Sequence, residues 1–279
     1  MAPPIALIAG NGSLPVELAR TLAERDGGVL VFALEGEADA ALSPFAPVPT
    51  AFPRLGAMFA RMKDAGCRQV IMAGGVVRRP ELARLATADG TTFAALASVF
   101  RSFFAGDNAL LTAVIDFMNQ RGLTVVGIAD VAPNLLAQEG SVAGPAPSRT
   151  VRAQMASGIE VATALGQFDV GQGCVVVGTR AVALEGAEGT DAMLERVEGL
   201  RTLGRLPRRR DGVLVKWPKP EQDLRVDLPA IGPGTVRNAH LAGLRAIGVA
   251  AGRTVVLDRP AVGEAADRLG ISVVGLPVE

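Results

Sequence analysis

The densest group of charged side chains in this sequence lies in the run KWPKPEQDLRVDLP, residues 216–229. Asp223, Arg225 and Asp227 alternate there with apolar residues, so an extended strand would place the three charges on one face. The two carboxylates would then lie about 13 Å apart, too far to chelate one ion together. A bend in this proline-flanked segment would bring them closer, and the spacing alone leaves both conformations open.

The side chains of this run are those that phosphoryl and pyrophosphoryl chemistry requires. A carboxylate of Asp223 or Asp227 could position Mg²⁺ or a water molecule. The cationic groups of Lys216, Lys219 and Arg225 could offset the charge of a phosphate. The competing interpretation is a half-exposed edge strand with alternating charges. The density of cations around two aspartates favours the functional interpretation.

Two glycine-rich turns follow predicted strands in the first half of the chain. The first precedes a helix, whose free N–H groups and positive dipole end favour a phosphate or another anion. The second is followed by an arginine that could bind phosphate through charge-assisted hydrogen bonds. Because the carboxyl ends of parallel strands meet at one edge of a sheet, we expect the two turns to be neighbours. The alternatives are a tight strand-to-helix turn and a solvated basic turn. The candidate contacts are Gly10, Asn11, Gly12, Ser13, Gly74, Gly75 and Arg78.

A third cluster precedes an apolar helix. Glu185, Glu188 and Asp191 place three carboxylates beside flexible glycines, and such oxygens suit a hard cation such as Mg²⁺. Equally, Thr190 or Asp191 could be the N-cap of the helix. The sequence does not separate these two interpretations. Gly189, Thr190 and Asp191 are candidate substrate contacts.

Composition narrows the class of protein. The 28 basic and 28 acidic residues cancel, which argues against a general nucleic-acid binder. The two cysteines, Cys67 and Cys174, match no metal-binding spacing and are predicted to be buried thiols. One histidine, His240, excludes a His-rich metal centre and is predicted to be a packing residue. The start of the chain lacks signal-peptide character and no apolar run reaches the length of a membrane span, so the predicted location is the cytoplasm.

Strand-like runs separated by helix-length segments predict an α/β protein of two domains. Residues 1–130 are predicted to form a doubly wound, Rossmann-like parallel-sheet domain that binds nucleotide or phosphate. Residues 131–149, rich in Pro, Gly, Ala and Ser, are predicted to be a linker, and residues 150–279 a C-terminal α/β catalytic domain. The cleft between two such domains is the expected ligand site. The apolar helical stretch Phe93–Phe104 predicts core, with an acyl-chain groove as the alternative.

At these motifs the sequence resembles the LpxI family, the UDP-2,3-diacylglucosamine pyrophosphatases of lipid A biosynthesis. The resemblance rests on IAGNGSLP near the start, AGGV after the predicted strand at 69–73, EGTDAM at 188–193 and KPEQDLRVDLP at 219–229. The first motif alone is unspecific, whereas the last two in this order are quite specific. The resemblance covers nearly the whole chain.

This resemblance implies cleavage of UDP-2,3-diacylglucosamine to UMP and 2,3-diacylglucosamine 1-phosphate (lipid X). Water would attack a phosphorus with Mg²⁺ present. One aspartate of the last motif is essential in the family, and it is either Asp223 or Asp227; both are therefore candidate metal ligands. Lys219 and Arg225 complete the predicted catalytic set, and Lys216 is a predicted substrate contact.

The expected partners are the lipid-linked UDP-sugar and, transiently, the surface of the inner membrane, to which the protein would bind peripherally. The sequence does not fix the oligomeric state. A non-enzymatic carrier of the nucleotide-sugar lipid is one alternative function. A nicotinamide-dependent oxidoreductase is another, although the third glycine of the dinucleotide fingerprint is absent, since position 15 is Pro.

Overall fold

The computed structural model describes residues 2–51, 55–76, 89–92, 107–220 and 222–278. Arg78 and the apolar stretch 93–104 lie outside the described residues, so the predictions made for them stay predictions. The chain divides into two compact units. Unit 1 comprises residues 1–132 together with 223–226, and unit 2 comprises residues 133–222 and 227–279.

Unit 1 contains a five-stranded parallel sheet with the strand order β3-β2-β1-β4-β5. Its strands are β1 (Ile5–Ala9), β2 (Val29–Leu34), β3 (Val48–Thr50), β4 (Gln69–Ala73) and β5 (Thr124–Val125). The helices within the described residues of unit 1 are α1 (Leu14–Ala23), α2 (Leu55–Asp64), α3 (Asp107–Asn119) and the short α4 (Ile128–Val131), with a 3₁₀ helix at Ala40–Phe45. The central strand β1 is buried along its whole length, which explains why it reads as a continuous apolar run.

Helix α1 illustrates how the sequence of unit 1 specifies its elements. Pro15 lies in the first turn, where its missing N–H breaks no intrahelical hydrogen bond. Leu18, Ala19 and Leu22 then follow at helical spacing and are fully buried. The helix therefore begins directly after the first glycine turn, as the sequence predicts.

Unit 2 contains a six-stranded mixed sheet with the order β6-β13-β11-β9-β7-β8, and a two-stranded parallel sheet of β10 and β12. The six strands are β6 (Gly140–Ala143), β7 (Gly173–Val177), β8 (Arg180–Leu184), β9 (Val213–Lys216), β11 (Ala246–Ala250) and β13 (Ser272–Leu276). Strands β10 and β12 span Ala230–Ile231 and Val255–Val256. The helices are α5 (Arg149–Gly166), α6 (Gly189–Thr202), α7 (Pro233–Leu241) and α8 (Arg259–Leu269), with a 3₁₀ helix at Pro133–Leu135.

Helix α5 packs closely on the sheet of unit 2. A Cβ atom at Gly158 would lie 2.4 Å from Cγ2 of Val215 in β9, so only glycine permits this approach. Met155, Cys174 and Trp217 belong to the same apolar cluster. Cys67 and Cys174 are both buried free thiols, which confirms the prediction made for them.

The structure differs from the sequence prediction between residues 131 and 149. The predicted linker contains a 3₁₀ helix and the edge strand β6, which pairs antiparallel with β13. Strand β6 is the four-residue segment GSVA, which is too short and too rich in small residues to give an alternating pattern. Strand β5 of unit 1 ends at Val125, and α4 begins at Ile128.

Among the residues that the structure describes, no helix combines the length and the apolar character needed to cross a bilayer.

Candidate functional site

The two glycine turns of unit 1 are in direct contact. The Gly10 N–H donates to the carbonyl of Ala73 at 2.8 Å, and the Asn11 N–H donates to the carbonyl of Gly75 at 2.9 Å. A Cβ atom at Gly10 would lie 2.3 Å from the Gly75 carbonyl oxygen, and one at Gly74 would lie 2.4 Å from the Asn11 carbonyl oxygen. The expectation that these turns are neighbours is therefore confirmed. We call Gly10–Ser13 with Gly74 and Gly75 the glycine site.

In the glycine site, Gly10–Ser13 directly precede α1, whose first backbone N–H groups are suited to an anion. Gly12 has a φ of +90°, and a Cβ atom built there meets nothing within 4 Å. Ser13 precedes α1 and its carbonyl accepts from the N–H groups of Val16 and Glu17, both at 3.1 Å. Among the described residues, the Ser13 hydroxyl caps no N–H group of the helix. The start of α1 is thus suited to phosphate binding by its dipole.

The centre of the candidate site in unit 2 is the side chain of Lys216. This lysine is only 7% exposed, and its Nζ donates to the carbonyl of Ala230 at 3.2 Å. Burial lowers its pKa, while the charges of Glu185, Asp191 and Asp227 act in the opposite direction. The third and fourth sequence clusters therefore meet here. We call Lys216 with these three carboxylates the lysine cluster.

Residues at the start of α6 contribute to the lysine cluster. The Thr190 hydroxyl donates to Oε1 of the buried Glu185 at 2.8 Å, and Asn238 Nδ2 donates to Oδ1 of Asp191 at 2.9 Å. Because α6 begins at Gly189, Thr190 and Asp191 lie inside its first turn, and the prediction that either is the N-cap is wrong. Asp191 is still favourably placed, since the helix dipole stabilises negative charge in the first turn.

Asp223 and Arg225 form a tight turn in place of the extended strand that the alternation indicated. Arg225 donates from Nε to Asp223 Oδ1 at 2.9 Å and from Nη2 to Oδ2 at 2.6 Å. The backbone N–H of Arg225 also donates to Oδ1 at 3.0 Å, and the N–H of Val226 donates to the Asp223 carbonyl at 3.1 Å. Of the two conformations that the spacing left open, the structure has the bend. The hydrogen bonds from Arg225 lower the pKa of Asp223 and raise that of Arg225.

Within unit 1 the turn packs against Gly127, a residue that was not predicted from the sequence. A Cβ atom at Gly127 would lie 3.1 Å from the Cα of Arg225. The Gly127 N–H donates to Asp130 Oδ2 at 2.9 Å, and Val226 packs against the apolar core of unit 1. The charges of Asp116 and Asp130 also raise the pKa of Arg225. The sequence feature that could have indicated this contact is a glycine shortly after a short strand.

Lys219 belongs to unit 2 and interacts with a different carboxylate. Its ammonium forms an ion pair with Asp169, which has a φ of +54°. Its backbone N–H donates to Gln222 Oε1 at 2.9 Å. Asp169 was not singled out from the sequence, because it is distant along the chain from Lys219.

The described residues hold no group of three or more His, Cys, Asp or Glu side chains placed to bind a metal ion. Both carboxylate oxygens of Asp223 accept hydrogen bonds from Arg225.

The two units are those of an α/β protein, with two glycine turns in contact in one unit and a buried lysine among carboxylates in the other. The profile of the LpxI N-terminal domain matches residues 4–135, and that of the LpxI C-terminal domain matches residues 138–274. The UDP-2,3-diacylglucosamine pyrophosphatase LpxI of Caulobacter vibrioides (strain ATCC 19089 / CIP 103742 / CB 15) is 37% identical over 273 residues, which cover 98% of this chain and 97% of that protein. The chain belongs to the LpxI family.

Two solved structures align with about half of the chain. They are a partial consensus L-threonine 3-dehydrogenase (E-change) and the GalE-like L-threonine dehydrogenase from Cupriavidus necator in its holo form. Each is 20% identical with a TM-score of 0.25 over 55% of this chain, and the alignments cover 47% and 48% of those chains. A likeness this weak carries no argument about fold or function.

Proposed function

We propose that this chain hydrolyses the pyrophosphate bond of UDP-2,3-diacylglucosamine, giving UMP and 2,3-diacylglucosamine 1-phosphate (lipid X) for lipid A biosynthesis. The observation that carries the proposal is the 37% identity, over 98% of this chain, to a protein of that name. Matches to both LpxI domains, in the same order along the chain, support it.

Unit 1 is proposed to be Rossmann-like and to bind the nucleotide or pyrophosphate part of the substrate. In doubly wound sheets, ligands bind beyond the carboxyl ends of the strands, where the strand order reverses. In the order β3-β2-β1-β4-β5 this point lies between β1 and β4. The glycine site follows these two strands, which supports its assignment to phosphate. A ligand cleft between the two units stays a prediction.

The proposed reaction is an attack of water on one phosphorus with cleavage of the P–O–P bridge. Asp227 would orient the water, and Arg225 and Lys219 would offset the charge that develops on the pyrophosphate. Arg225 is held in place for this task by its two hydrogen bonds to Asp223. Lys216 is buried, and its Nζ donates to the backbone carbonyl of Ala230. Its proposed role is therefore to hold the neighbouring backbone in place.

Magnesium is proposed as the cofactor, and the donor chemistry of Asp227 fits it. Mg²⁺ is bound in proteins by one or two carboxylates together with waters and substrate phosphates, so a cage of three carboxylates is not required. Asp223 fits less well, since Arg225 occupies both of its oxygens. When bound, Mg²⁺ would polarise the pyrophosphate oxygens.

The proposed location is the cytoplasm with peripheral contact to the inner membrane. The reason lies in the substrate, because two acyl chains keep it at a lipid surface. The enzyme must therefore reach that surface at each turnover.

The proposal is tested by incubating the purified chain with UDP-2,3-diacylglucosamine and Mg²⁺ and measuring UMP and lipid X by mass spectrometry. Release of both products is expected, and hydrolysis in ¹⁸O-water would locate the attacked phosphorus. Retention of the intact substrate without UMP release would overturn hydrolysis in favour of a carrier. Tight binding of NADH with no UMP release would revive the oxidoreductase.

A further inference from the structure

Glu185 is a buried carboxylate without a role in the proposed chemistry. It is only 7% exposed, and Oε1 accepts the hydrogen bond of the Thr190 hydroxyl. No hydrogen-bond donor of the described part of the chain reaches Oε2. Burying a carboxylate oxygen in this way is costly unless a nearby charge compensates for it. The cation on which Glu185 acts is Lys216, whose pKa the Glu185 charge acts to raise.

The sheet provides a dedicated space for this carboxylate. A Cβ atom at Gly173 in β7 would lie 2.3 Å from Glu185 Oε2, so a side chain there would displace the carboxylate. Gly173 is paired with Lys216 in the antiparallel ladder of β7 and β9, and its carbonyl accepts from the Glu185 N–H at 2.9 Å. Paired residues direct their side chains to the same face of a sheet. Glu185 therefore fills, beside Lys216, the position that a side chain of residue 173 would occupy.

Lys216 connects this position to the segment that carries Asp227. Its Nζ donates to the carbonyl of Ala230, the first residue of β10 and three positions after Asp227. The carbonyl of the preceding residue, Pro229, accepts from the Val255 N–H at 2.8 Å, so this segment is also hydrogen-bonded to β12. The Lys216 ammonium is thus one of the groups that hold the segment after Asp227.

We propose that Glu185 is a positioning residue: from its space over Gly173 it holds the Lys216 ammonium against the Ala230 carbonyl and so fixes the segment that presents Asp227. This inference rests on the proposed hydrolysis for its effect on turnover. The contacts on which it depends, however, lie entirely within unit 2. It can therefore also be tested without the reaction.

The test compares Glu185→Gln, which keeps the shape and removes the charge, with Glu195→Gln on the exposed surface of α6 as the matched control. Turnover is measured per folded protein, with folding followed by circular dichroism, together with amide hydrogen exchange of residues 227–231. We expect kcat of Glu185→Gln to fall about 10- to 100-fold, as for other supporting groups around a site. KM should change by less than about threefold, since substrate contacts stay in place.

Hydrogen exchange of residues 227–231 should become at least about tenfold faster in Glu185→Gln, while that of β11 stays as in the parent protein. Glu185→Asp keeps the charge and should recover part of the lost kcat. If Glu185→Gln does not fold, Gly173→Ala replaces it, because the added Cβ atom displaces the carboxylate and leaves every charge present. A normal kcat in the folded variant would overturn the inference.

The failure of the proposed function gives a different result from the failure of this inference. Parent protein that releases no UMP contradicts the hydrolysis, and hydrogen exchange alone then decides the role of Glu185. Unchanged exchange of residues 227–231 in Glu185→Gln would overturn the positioning role in that case. A purely structural role would lower the folded fraction and leave kcat per folded molecule unchanged, which would also overturn it.

Discussion

The contact between the two glycine turns predicts a large effect for the substitution Gly10→Ala. The new Cβ atom would lie 2.3 Å from the Gly75 carbonyl oxygen and 2.9 Å from that of Gly74. Ordinary contacts require a separation on the order of 1 Å greater, and both neighbours are backbone atoms that cannot rotate away. The glycine site must therefore widen by about 1 Å, a displacement that can cost about 10²-fold in rate.

The stability cost of Gly10→Ala should be about 1–3 kcal/mol, the range for overpacking. Gly28→Ala is the control: Gly28 has a φ of +68° and no atom within 4 Å of a built Cβ, so only backbone strain acts there. That strain costs about 1–2 kcal/mol. Both variants should thus lose stability to a similar extent, whereas only Gly10→Ala should lose turnover.

The assay combines urea unfolding of both variants with the initial rate of UMP release under conditions where each is folded. About 10²-fold lower kcat/KM corresponds to about 2.7 kcal/mol of transition-state stabilisation. Parent-like turnover of folded Gly10→Ala would refute the assignment of substrate binding to the glycine site. Equal loss of turnover in Gly28→Ala would instead attribute the effect to instability of unit 1.

Three further predictions follow from charge and burial. Arg225 lowers the pKa of Asp223, so their pairing stabilises the fold above the ordinary pKa of an aspartate, about 3.9, and the contribution is lost as pH falls through the folded value. Below about pH 4, the unfolding midpoint of Asp223→Asn should consequently depend less on pH than that of the parent protein. The same pH dependence in both proteins would contradict this. Lys216→Met leaves the charge of the buried Glu185 uncompensated and should lower the free energy of unfolding by about 3–5 kcal/mol, measured by urea unfolding at pH 7. A change within experimental error would show that Lys216 does not offset this charge. Burial raises the pKa of Cys174 to about 12, so iodoacetamide at pH 8 should label it only after unfolding, and rapid labelling of the native protein would contradict its burial.

The sequence predicted the elements of unit 1 that depend on local pattern. The apolar run of β1, the turn at Gly10 and the amphipathic α1 are all specified within about twenty residues. A strand that is buried on both faces is a continuous apolar run, and an amphipathic helix has apolar residues at helical spacing, so both can be recognised from the local sequence. The proximity of the two glycine turns was also predictable, since parallel strands end at one edge. Strand β6 was not, because its partner β13 lies far along the chain.

The order of residues was enough to establish the α/β class, the family resemblance and the residue types of both candidate sites. Which residues meet in the lysine cluster and in the Asp223–Arg225 turn, by contrast, became known from the tertiary structure alone. Glu185 approaches Lys216 because Gly173 lacks a side chain in the neighbouring strand. Asp223 and Arg225 form a turn because hydrogen bonds between them and contacts with Gly127 outweigh the weak strand preference of an alternating segment. Such outcomes depend on the space and charge that distant parts of the chain supply, and neither quantity is encoded in local residue spacing.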